Sequence, residues 1–173
     1  MINQIPVILF RLLLLLLVQV ILFSNMNLSS LVIPYVFPLF VLLLPFETPR
    51  WLLMLLGFIS GLTLDIFLGS TGMHAAAGVL IGYLRPFLIN AITPKGTEFE
   101  ISPNIYAQGV TWFVFYLGIS MFLYLFFYFL VEAATFLNFF LQMLKIILST
   151  VASVFFMLIF LFLFSARRKR RFV

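Results

Sequence analysis

The sequence predicts an all-α, polytopic membrane protein with six transmembrane helices and both termini in the cytoplasm. Three observations carry that expectation. Hydrophobic residues make up 65 % of the 173-residue chain and charged residues 9 %. A soluble domain carries about 25 % charged residues, so this chain could not cover a water-facing surface. Six apolar stretches approach the ~20 residues that a bilayer crossing needs. Finally, the basic residues gather on one side of those stretches, as positive-inside orientation requires.

The first stretch runs from Ile5 to Phe23 and contains the run Leu12 to Leu17. Its apolar length exceeds that of a signal-peptide core, and no small-residue cleavage site precedes Ser24, so it is expected to be retained. The second runs from Leu31 to Phe46 and carries Pro34, Pro38 and Pro45. Proline removes a backbone donor, so this span is expected to be kinked or partly unwound, with neighbours satisfying the freed groups. The third, Trp51 to Leu68, and the fourth, Met73 to Ile92, form a hairpin, and Pro86 is expected to end or bend the fourth. The fifth, Tyr106 to Val131, is dense in aromatics, and the sixth runs from Phe136 to Phe164. Both are longer than a bilayer needs, which implies tilt or an interfacial extension. Residues 1–166 form a single six-span membrane domain, and 167–173 form a basic cytoplasmic tail.

Half of the ten basic residues lie in the run Arg167, Arg168, Lys169, Arg170, Arg171. A basic cluster just beyond a span reads as a cytoplasmic anchor on anionic membrane lipid. Nucleic acid is not an expected partner, because no folded basic surface accompanies the run. With that tail in the cytoplasm, Arg50, Arg85 and Lys95 fall on the same side, and Arg11 lies near the inner end of the first span. The outer loops, Ser24 to Ser30, Gly69 to Gly72 and Glu132 to Thr135, contain no Lys or Arg. The inner loop near Arg85 to Asn104, with Glu98 and Glu100, is too short for an independent domain. Lys145, in the outer half of the sixth span, is the exception to the orientation rule.

The hairpin holds the only Asp and the only His of the chain. Gly57, Gly61, Asp65 and Gly69 recur every fourth residue, as do His74, Gly78 and Gly82 beyond the turn that ends at Gly72. On a helix that spacing makes one slowly turning face. In lipid, small residues so spaced let two backbones approach closely, within the chain or against a partner helix.

Each polar residue of the spans has two readings. A charge at mid-membrane costs about 2.5–3.5 kcal/mol, less near the interface. Asp65 could contact a proton, an ion or a ligand, or it could cap the turn by accepting from Ser70, Thr71 or backbone N–H groups. Lys145 could snorkel to the outer interface, or pair with Asp65 or Glu132 inside the bundle. His74 could belong to a metal or proton site, or be a polar tip at the outer interface. A single His without Cys is a poor metal set, and no metal or other cofactor is expected. No Ser or Thr has a His partner at a recognisable spacing, and Gly-x-Ser-x-Gly and P-loop patterns are absent, so no catalytic residue is expected. Glu47 reads as a solvated loop charge.

The stretch Gly61-Leu62-Thr63-Leu64-Asp65-Ile66-Phe67, followed by Gly69-Ser70-Thr71-Gly72 and the small-residue helix Ala75 to Leu84, resembles the signature of the bacterial rod-shape-determining MreD family. Gly61, Asp65 and Gly69 are the matching positions. The leucine-rich first span, the six-span layout and the short basic tail extend the likeness over most of the chain. The resemblance implies a multi-pass protein of the bacterial cytoplasmic (inner) membrane and a fold similar to the substrate-binding subunits of energy-coupling-factor transporters. It implies a non-enzymatic scaffold of the cell-elongation machinery that maintains cell shape by binding MreC directly. Through MreC it would join MreB, RodA and a penicillin-binding transpeptidase in lateral wall synthesis. The alternative is the substrate-binding membrane subunit of a small-molecule transporter, with an outer pocket built from Asn25, Asn27, Asp65, His74, Glu132, Asn138 and Gln142.

Overall fold

The computed structural model describes residues 5–23, 32–93, 103, 105–132 and 139–166, with only the backbone described for 5–9, 22–23, 106–107 and 164–166. Lys95, Glu98, Glu100, Asn25, Asn27, Asn138 and the basic run Arg167 to Arg171 lie outside the described residues. Every regular element among the described residues is helical. Helix α1, Ile5–Val18, continues into a π turn at Gln19–Phe23. A one-turn helix α2, Leu39–Leu42, follows. The long helices are α3, Arg50–Leu68, α4, Met73–Ile92, α6, Val110–Glu132, and α7, Phe139–Ala166; a short α5, Ile105–Gln108, precedes α6. Four helices, α3, α4, α6 and α7, are long and apolar enough to cross a membrane.

The helix ends follow from local chemistry. Gly69 and Gly72 bracket the α3–α4 turn with φ of 68° and 83°, a left-handed conformation that glycine adopts without a Cβ penalty. Gly109, at φ 84°, separates α5 from α6, so the long helix of the fifth stretch starts at Val110 rather than at Tyr106. Pro86 does not end α4, which continues six residues further to Ile92.

Helices α3 and α4 form the closest pair of the bundle. A Cβ on Gly57 would lie 2.7 Å from the Gly78 carbonyl carbon, and one on Gly82 would lie 2.6 Å from the Leu53 carbonyl oxygen. A Cβ on Gly61 would lie 2.6 Å from the Ala75 Cα. The glycine ladder is thus used within the chain, backbone against backbone. Helix α4 turns its other side to α6, and α6 packs on α7.

The proline-rich second stretch is where the fold departs furthest from a helix bundle. Only Leu39–Leu42 are helical, and 34–42 are buried on all sides. Non-helical backbone buried within the protein must find partners for its polar groups there. It does so at both ends. Gln19, in the π turn, donates to the Pro34 carbonyl at 3.2 Å and accepts from the Val36 N–H at 2.7 Å. Two serines of α7 accept from the same strip, Ser149 from Ile33 N–H at 3.1 Å and Ser153 from Tyr35 N–H at 2.8 Å. At its other end the stretch is held by Arg85.

Candidate functional site

Two polar centres lie inside the bundle, one at the level of the Gly69–Gly72 turn and one toward the Arg50 end. The first begins with Asp65, placed three residues before the end of α3 and only 2 % exposed. One carboxylate oxygen accepts from the Ser70 hydroxyl at 2.5 Å and from the His74 N–H at 3.1 Å. The other accepts from the Ala75 N–H at 2.9 Å. These amides belong to the first turn of α4, whose donors have no intrahelical partner. The neighbouring N-cap residue is Gly72, which supplies no side-chain acceptor. Asp65 therefore caps α4 from the preceding helix, and its negative charge sits at the positive end of the α4 dipole.

That geometry leaves no ion pair between Asp65 and Lys145, nor between Glu132 and Lys145. The expected pair fails because the carboxylate is already filled by the Ser70 hydroxyl and two amides, while Glu132 is exposed and Lys145 half-buried. Asp65→Ala would leave two buried amides without an acceptor, at about 1–3 kcal/mol each. We expect a loss of about 2–4 kcal/mol in detergent unfolding, with Asp65→Asn losing less because it keeps one acceptor oxygen. An alanine variant as stable as the parent would rule out the capping role.

His74 is not a polar tip at the interface. It is fully buried, because the second stretch lays Tyr35 and Phe37 over it. Its ring stacks on Tyr128, with centroids 4.4 Å apart and planes 17° apart, and lies 5.0 Å from Tyr35 and 5.9 Å from Phe37. The His74 Nδ1 and the Tyr124 hydroxyl share a 2.8 Å hydrogen bond. The Nε2 atom is buried without a partner.

The second centre is Arg85, 1 % exposed, in the body of α4. It was expected as one of the positive residues on the cytoplasmic surface; instead its guanidinium is drawn inside by carbonyls. Its Nε donates to the Tyr116 hydroxyl at 3.2 Å and to Leu42 O at 3.4 Å, Nη1 donates to Pro45 O at 3.4 Å, and Nη2 to Leu44 O. The Tyr116 hydroxyl itself donates to Leu42 O at 3.1 Å. These carbonyls sit at and just past the C-terminal end of α2, where a cation is favoured by the helix dipole and the last carbonyls lack intrahelical partners. By contrast Arg50, at the start of α3, lies over the Phe87 ring at 4.7 Å.

Sequence reasoning also missed a stripe on α6. Tyr116, Ser120, Tyr124, Tyr128 and Glu132 recur every fourth residue, and all but Glu132 are buried. The signal was in the spacing, hidden among the phenylalanines that flank it. Among the described residues, no group of three or more His, Cys, Asp or Glu side chains could hold a metal. Of the pocket expected from sequence, Asp65 and His74 are sealed inside, Gln142 is half-buried and Glu132 is exposed. Comparison with protein-family models, with curated proteins and with solved structures gives no match for the chain.

Proposed function

We propose that the protein is a non-enzymatic membrane scaffold of the bacterial cell-elongation complex, of the MreD type, binding MreC and linking it to lateral wall synthesis. The observation that supports this reading is the use made of the two buried charges among the described residues. Asp65 caps α4 and Arg85 clamps the second stretch, so both serve the chain's own backbone and neither is presented to a substrate. Such a chain is built to hold a shape, and the Gly61, Asp65, Gly69 hairpin that resembles the family is the part held most tightly. In this reading the first helix, the extended second stretch and the four long helices make six crossings, in the bacterial cytoplasmic membrane, with both termini in the cytoplasm. The transporter alternative requires an open polar pocket, and the burial of Asp65 and of His74, the latter under Tyr35 and Phe37, weighs against it.

The test is affinity capture of the tagged chain from mildly crosslinked membranes, with mass spectrometry of the co-captured proteins. Enrichment of MreC, RodA and a penicillin-binding transpeptidase is expected, with less MreC on Asp65→Asn at equal accumulation. Capture of an ATPase and a coupling subunit in their place would overturn the scaffold.

A further inference from the structure

Among the described residues, two side-chain atoms of the bundle core are buried with no partner: His74 Nε2 and Ser120 Oγ. A buried polar atom left unpaired costs about 1–3 kcal/mol, and polar side chains inside a membrane protein usually mark a path for protons or ions. Both atoms lie where α4 faces α6, and both belong to one arrangement. Ser120 is the middle member of the α6 stripe, one turn from Tyr116 and one turn from Tyr124. Tyr124 holds the His74 ring by its hydroxyl at 2.8 Å. Tyr128, a turn further, stacks on that ring and touches Tyr35, with centroids 5.6 Å apart. Glu132, a turn further still, is exposed. Successive members are about 6 Å apart along the axis, a step that one hydroxyl or one small polar molecule can bridge.

The two ends of the stripe differ in kind. At the Glu132 end it reaches the surface of the bundle. At the other end the Tyr116 hydroxyl is committed twice, donating to Leu42 O and accepting from Arg85 Nε. A fixed guanidinium at that point repels a migrating proton, as cationic side chains do in pores that exclude protons.

We propose that the α6 stripe is a proton-access path, filled by water at the two unpartnered atoms, that joins the aqueous phase at Glu132 to His74 and is closed beyond Ser120 by Arg85. A hydronium ion at Glu132 gives up its proton, hydroxyls and water pass it inward, and His74 Nε2 takes it to form an imidazolium. The Nδ1–H then donates to the Tyr124 hydroxyl. The groups around this imidazole are the Asp65 carboxylate from α3, which holds the His74 backbone N–H, Tyr35 and Phe37 from the second stretch, and Tyr124 and Tyr128 from α6, with Glu132 one turn beyond Tyr128. Asp65 is the counter-charge. The bundle thereby gains a buried site whose charge is set from one face of the membrane only.

His74 is the sole histidine, so the proposal can be read from one residue. The full chain, carrying a tag without histidine, is labelled with 15N-histidine, placed in nanodiscs and transferred to deuterated buffer. Imidazole N–H exchange is expected within minutes, slowed about ten-fold or more by Tyr128→Phe and unchanged by Tyr116→Phe. Phenylalanine keeps both rings in place, so either variant preserves the packing. An imidazole proton still protected after days would overturn the path. So would wild-type exchange in Tyr128→Phe, or equal slowing by Tyr116→Phe, which would place the access at the Arg85 end.

Discussion

Gly57→Leu is expected to abolish accumulation of the folded protein, while Gly118→Ala leaves it unchanged or slightly more stable. At Gly57 a Cβ would lie against the Gly78 carbonyl oxygen, 2.7 Å from its carbon and 3.4 Å from the Val79 nitrogen. The contact is reciprocal, since a Cβ on Gly78 would lie 2.9 Å from the Gly57 carbonyl carbon. The obstructing atoms are backbone, so no rotamer change relieves them, and α3 must move away from α4 along much of its length. Overpacking alone costs about 1–3 kcal/mol. In lipid the further loss is large, because helices associate there through close packing and not through exclusion of water. Separation would also draw the Asp65 carboxylate away from the first turn of α4. Gly118 is the control: it lies inside α6, and a Cβ there meets nothing within 4 Å. Alanine should then gain up to about 1 kcal/mol from helix propensity. Membrane accumulation and thermal unfolding in detergent would measure both variants, and equal behaviour of the two would refute the close-approach argument.

The second large effect is expected at Arg85. Replacing it with Met should destabilise the protein by about 1–3 kcal/mol, the cost of one buried carbonyl left without a donor. The three carbonyls do not depend on it equally. Leu42 O keeps the Tyr116 hydroxyl, and Pro45 O keeps the Thr48 hydroxyl and amide. Leu44 O has Arg85 as its bond from outside the stretch. Arg85→Lys should fall between Met and the parent, because an ammonium carries charge but cannot span the divergent acceptors that the planar fork reaches. Tyr116→Phe should cost only about 1 kcal/mol, the usual net value of one hydrogen bond. Unfolding in a denaturing detergent series measures the order. Limited proteolysis should show new cleavage near residues 43–49 in Arg85→Met first, where the second stretch loses its anchor. A methionine variant within about 0.5 kcal/mol of the parent, the range of an ordinary surface change, would contradict the clamp.

The sequence by itself determined the membrane solvent, the helical class and the α3–α4 hairpin. The hairpin was legible because its information is local: spacing-four glycines, a Gly-Ser-Thr-Gly turn and predominantly apolar runs on both sides. The third and fourth stretches accordingly begin and end within a residue of the helices found. Only the tertiary structure decided the path of the proline-rich stretch and the places of Arg85 and His74. Prolines announce that backbone groups will lack their usual partners, but they do not say which distant side chain supplies new ones. Here the donor to Leu42 O lies 43 residues away, and the acceptor for Tyr35 N–H lies 118 residues away. Once that stretch runs through the bundle outside a continuous helix, its carbonyls make the interior a better place for a guanidinium than the interface. Its aromatic side chains likewise cover His74, which local pattern alone placed at the surface. The same packing selects between the two readings of Asp65. A carboxylate near a helix end is ambiguous in sequence, and becomes a cap only because close glycine contact brings the first amides of α4 within 3.1 Å of it.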